Sequence, residues 1–137
     1  SNSNAFTYKK DKNMDEIVKK VNGLIDDIAE CLENETAYTV TRKPRSDSHE
    51  STTEIIVLNG NNVLASINAL IYMIPTDGVY AQIEFHPQPK NIFRNKSISK
   101  LCKSEDEEYY FLELDHFSNQ VLSGLEKSKD YWASFYR

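Results

Sequence analysis

The sequence predicts an α+β fold, and three observations carry that reading. Across residues 13–33, Met14, Ile17, Val18, Val21, Leu24, Ile25, Ile28 and Leu32 recur every three or four positions, the period of a helix with one buried stripe. Residues 79–86 alternate, with Val79, Ala81, Ile83 and Phe85 on one side and Tyr80, Gln82, Glu84 and His86 on the other. That is the period of a strand with one buried face. Near the end of the chain, Phe117, Val121, Leu122 and Leu125 restore helical spacing. The expected architecture is a mostly antiparallel four- to five-stranded sheet packed against N-terminal, central and C-terminal helices.

Residues 1–12 carry no folding signal and read as a disordered or expression-derived segment, leaving 13–137 as a single α+β domain. Asn13 is a good N-cap for the first helix, and Glu16 stands where a capping box needs it. Lys19, Lys20, Asp26, Asp27 and Glu30 make its solvated face, with Gly23 beside them, and Asn34 reads as a left-handed end. Residues 37–43 read as a strand with Tyr38 and Val40 inward, 44–51 as an exposed loop, and 52–58 as the antiparallel partner strand.

The densest apolar stretch lies at the centre of the chain. Residues 63–74 have two readings. Val63, Leu64, Ile67, Leu70, Ile71 and Ile74 make a helical stripe that Asn61 caps and Pro75 stops. Asn59-Gly60 and Thr76-Asp77-Gly78 instead fit hairpin turns around a fifth strand. The helix is preferred, because a strand would be unusually long and would set Asn68 among apolar neighbours. Pro87 and Pro89 break the alternating strand. Residues 90–103 carry Lys90, Arg94, Lys96, Lys100 and Lys103 with no acid, and Ser97 reads as the start of a short helix. Glu105, Asp106, Glu107 and Glu108 follow at once. Residues 109–114 read as a strand, and Asp115 as the cap of a helix over 116–129 that Gly124 weakens. In a continuing helix Tyr131 meets Phe135 and Trp132 meets Tyr136.

Composition narrows the function. The chain has 137 residues, 39% hydrophobic and 27% charged, with a formal net charge of −5. No apolar run is long enough to span a bilayer, so no membrane partner is expected. An acidic chain argues against nucleic acid, whose phosphates need a basic face, and suits a basic protein partner. Cys31 and Cys102 form neither a disulfide framework nor a zinc signature. They read as reduced, buried thiols of a cytoplasmic protein.

No convergent catalytic set is visible. No serine lies between glycines as in a nucleophile elbow, and the asparagine-rich turn at 59–62 lacks the lysine of a phosphate-binding loop. No metal or cofactor is expected. The leading expectation is therefore a non-catalytic protein-binding module. Its concrete forms are an acidic neutraliser of a basic partner, of immunity-protein or antitoxin kind, and a secretion-chaperone-like protein. Glu105, Asp106, Glu107 and Glu108 would supply the acidic surface, with Tyr131 and Trp132 as aromatic anchors. The alternative is a small enzyme or ligand-binding domain using Glu84, His86 and Asp115.

Overall fold

A computed structural model describes residues 2–45, 52–74, 78–113 and 118–136. Helix α1 (Asn2–Glu35) is followed by strands β1 (Thr39–Pro44), β2 (Thr53–Asn59), β3 (Asn62–Ile74), β4 (Gly78–Pro87), β5 (Lys96–Lys103) and β6 (Tyr109–Glu113). A π-helical turn, Ser118–Leu122, leads into α2 (Ser123–Ala133), and a 3-10 turn, Ser134–Tyr136, follows. The six strands form one antiparallel meander in chain order. The α+β class expected from the sequence holds. The sheet has six strands rather than four or five, and no central helix is present among the described residues.

Both corrections come from segments whose local pattern is ambiguous. Residues 63–74 belong to β3, a 13-residue strand. Two features give it a helical appearance. A bulge opposite the Val57/Leu58 step makes Leu64 and Ala65 consecutive buried residues, which breaks strict alternation. The outer face also carries apolar side chains, with Leu70 43% exposed. The hairpin signal is the better guide: Gly60 has φ of 61° at the first central position of the β2–β3 turn, where glycine is favoured. Residues 96–103 are strand β5 rather than a helix beginning at Ser97.

Helix α1 also departs from expectation at both ends. Its backbone is helical from Asn2, so Asn13 lies within the helix rather than at its start. At the other end the helix passes through Asn34 to Glu35, and Thr36 Oγ1 donates to the Leu32 carbonyl at 2.6 Å. The expected cap Asp115, together with His116, Phe117 and His49, lies outside the described residues.

Both helices lie on one face of the sheet. Ile17, Val21, Ile25 and Leu32 of α1 and Leu125 of α2, with Val121 of the preceding turn, are fully buried against Ile55, Val57, Ile67, Ala81, Ile83 and Phe85. Gly124 is required where α2 crosses β4, because a Cβ there would stand 2.5 Å from Phe85 Cε1. Ser128 Oγ then donates to the Gln88 carbonyl at 2.6 Å, tying α2 to the β4–β5 connection. Tyr131 and Phe135 meet as the helical spacing predicts, at 5.1 Å between ring centroids. Trp132 packs against Phe135 as well. Cys31 and Cys102 are free thiols, but each is half-buried rather than fully enclosed.

Candidate functional site

The second face of the sheet carries no described helix, and alternation in β4 decides what it presents. Tyr80, Gln82, Glu84 and His86 all point there, opposite to the core residues Val79, Ala81, Ile83 and Phe85. The β3 register sets Tyr72, Leu70, Asn68 and Ser66 against them in turn. On the other side, β5 sets Lys100 beside Gln82 and Ser97 beside Glu84. Glu84 is thus the centre of a polar cluster drawn from three strands.

The contacts inside this cluster are few and long. Gln82 Nε2 donates to Glu84 Oε2 at 3.4 Å. His86 Nε2 lies 3.5 Å from Glu84 Oε1, close enough for an ion pair with a protonated ring but without hydrogen-bond alignment. The His86 side chain is only 12% exposed. Asn68, 7% exposed, donates to Glu54 Oε2 at 3.2 Å, and Glu54 Oε1 pairs with Lys43 at 3.3 Å. Asn68 Oδ1, both ring nitrogens of His86 and Ser97 Oγ are buried and have no hydrogen-bond partner among the described residues. Buried polar atoms of this kind are costly unless something satisfies them. Around this centre lie exposed apolar side chains: Val63 and Leu70 of β3, and Tyr110 and Leu112 of β6. Tyr72 and Tyr80 stack at 6.1 Å beside them.

The six residues expected to form one acidic, aromatic surface lie in two places. Glu105, Asp106, Glu107 and Glu108 are all exposed in the β5–β6 turn. Glu107 holds φ of 64° there and reaches Lys103 at 3.8 Å, while Lys103 lies over the Tyr109 ring. Tyr131 and Trp132 sit at the other end of β5, where Tyr131 meets Phe93 of the β4–β5 connection at 6.0 Å. An eight-residue strand separates the two groups, or about 26 Å at about 3.3 Å per residue. Trp132 packs against the core, so it belongs to the seat of α2.

A third feature has no sequence signal, because it joins two helices distant along the chain. Glu35, Thr36, Ala37 and Tyr38 at the end of α1 face Leu122, Glu126 and Lys129 across a cavity of about 340 Å³. The Tyr38 hydroxyl donates to Glu126 Oε1 at 3.1 Å. Burial, then that hydrogen bond and the Glu126 charge, pushes the Tyr38 phenol up to about 12. It remains a neutral donor at physiological pH. Burial and then Glu35 raise the Cys31 thiol, which disfavours the nucleophilic thiolate. Among the described residues, no three His, Cys, Asp or Glu side chains come together as a metal site. No described helix is long and apolar enough to cross a membrane.

No protein-family model, curated protein or solved structure matches the chain.

Proposed function

We propose that the protein is a non-catalytic protein-binding module whose seat is the helix-free face of the sheet. The observation that supports this reading is the exposure of Val63, Leu70, Tyr110 and Leu112 around a polar centre on that one face. Exposed apolar side chains grouped on one face of a sheet mark an interaction surface. The partner is a basic protein. Its attraction comes from the net charge of −5 and from the four exposed acids of the β5–β6 turn at the edge of the face. Within this class, neutralising a basic toxin-like protein and chaperoning a secreted one are the two concrete forms.

The test starts from the basic protein captured from the native source and uses a substitution at the middle of the face. Leu70→Lys places a cation among these apolar side chains, where 43% exposure lets the chain fold around it. Binding should weaken about tenfold or more, with the thermal midpoint nearly unchanged. Raising salt should also weaken binding, through slower association. Binding that ignores both changes would remove the face from consideration. A second reading rests on the unpartnered atoms of Asn68, His86 and Ser97 around Glu84. Here the same cluster holds a small polar ligand, and the His86 ring resonances should shift on ligand addition in the wild type and not in Glu84→Gln.

A further inference from the structure

We infer that the outer edge of β6 is a self-association site, where the strand pairs antiparallel with β6 of a second copy and joins two sheets into one. The inference rests on the backbone of the sheet edge, although its side-chain pairs share Tyr110 and Leu112 with the proposed partner face.

The hydrogen-bond phase of β6 follows from its turn. Ser104 N–H donates to the Glu108 carbonyl at 2.8 Å, so these two residues form a hydrogen-bonded pair. Pairing continues without a register shift through Lys103–Tyr109, Cys102–Tyr110, Leu101–Phe111, Lys100–Leu112 and Ser99–Glu113. Hydrogen-bonded and non-hydrogen-bonded pairs alternate in an antiparallel ladder. Tyr110 and Leu112 therefore bond to β5, while Tyr109, Phe111 and Glu113 turn their N–H and C=O groups outward. Among the described residues, no seventh strand takes them. Among the described residues, α2 packs chiefly on β3 and β4, and α1 on β1 to β4.

A second copy fits because the strand is self-complementary about Phe111. A two-fold axis there makes Phe111 pair with Phe111 of the second copy, and Tyr109 with its Glu113. Each pairing exchanges two backbone hydrogen bonds, which uses every outward group of both strands. The same register sets Tyr110, 49% exposed, opposite Leu112 of the second copy, 47% exposed, in the close non-hydrogen-bonded pairs. Aromatic and aliphatic side chains at that spacing attract one another across strands. The antiparallel arrangement also puts the two acidic turns at opposite ends, away from each other. A free, apolar, proline-free edge of this kind is a template for strand addition.

Charge separates this site from the proposed partner seat. Two copies of net charge −5 repel, so salt should strengthen the dimer, whereas it weakens a complex with a basic protein. Sedimentation velocity of the whole chain from micromolar to millimolar concentration should show a reversible dimer that grows with salt. Over the same range, hydrogen exchange should slow at the Tyr109, Phe111 and Glu113 amides and stay constant at Tyr110 and Leu112. Tyr110→Lys with Leu112→Lys places like charges opposite and should weaken the dimer about tenfold or more. Tyr110→Lys with Leu112→Glu places opposite charges across the same pairs and should restore it. A chain that stays monomeric throughout, or exchange protection that ignores concentration, overturns the inference. So does an equal effect of the two double variants, because only this register distinguishes them.

Discussion

The two edges of the sheet are built from opposite materials. The edge strand β1 is Thr-Val-Thr-Arg-Lys-Pro, and β6 is Tyr-Tyr-Phe-Leu-Glu. Arg45 N–H donates to the Thr52 carbonyl at 2.9 Å, which fixes the phase of β1. Alternation then turns the backbone groups of Val40, Arg42 and Pro44 outward. Proline has no N–H to offer at its outward position, and the neighbouring outward position belongs to a charged residue. Arg42 is held by Glu33 and, at 3.5 Å, by Asp26, both from α1. Proline and cations are the usual means of blunting an edge. Strand β6 has neither. Two edges of one sheet meet the same hazard, and among the described residues only β1 carries these devices.

The largest expected effect tests how each edge strand is anchored. Strand β6 is pinned to the core by Tyr109, which is buried, and by Phe111, which packs against it. Strand β1 has only Val40 and the partly buried Tyr38 just before it. Phe111→Ala should therefore cost about 2–3 kcal/mol, and Val40→Ala about 1 kcal/mol. Urea unfolding at low concentration, where the chain is monomeric, measures both. Equal costs would mean that the two strands are anchored alike and that only their outward groups differ.

A smaller effect, of opposite sign, lies in the turn that leads into β6. Glu107 occupies the left-handed region at φ of 64°, which glycine adopts without penalty. Its contact with Lys103 is too exposed to offset the strain, since the Glu107 side chain is 82% exposed. Glu107→Gly should stabilise the protein by about 1 kcal/mol. Glu107→Ala should give no such gain, because the Cβ responsible for the strain remains. A matched response of the two variants in thermal unfolding would place the cause elsewhere in the turn.

These edges also show where sequence reading reaches and where it stops. Alternation within residues 79–86 is enough to put Glu84 and His86 on one face, and β4 keeps them there. The neighbours that complete the cluster, Asn68 and Ser97, come from register across β3 and β5, which no local pattern encodes. The helical reading of 63–74 fails because β3 is apolar on both sides and bulged at Leu64, so the period of two is masked. The 131–135 aromatic spacing is legible because it is local, whereas the approach of Phe93 to Tyr131 depends on tertiary packing. The acidic run is legible as charge, but its distance from Trp132 depends on which end of β5 each occupies.

The smallest expected effect bears on the β1 edge. Arg42 is 37% exposed, and its partners Asp26 and Glu33 are 61% and 41% exposed. Exposed pairs of this kind are worth about 0.2–1 kcal/mol each, and less in salt. Arg42→Ala should therefore cost about 0.5–1 kcal/mol at low ionic strength, part of it from the lost packing of the arginine stem. Arg42→Gln keeps much of that stem, so the difference between the two variants separates packing from charge. High salt should shrink the Arg42→Gln loss and leave the remaining loss of Arg42→Ala in place. Neither variant should create a second association site, because Pro44 still lacks a donor and β1 still has no exposed aromatic or aliphatic pair. Sedimentation should thus find Arg42→Ala no more associated than the wild type. Higher oligomers in that variant would show that charge alone had kept β1 closed, and that the proline contributes little to the difference between the edges.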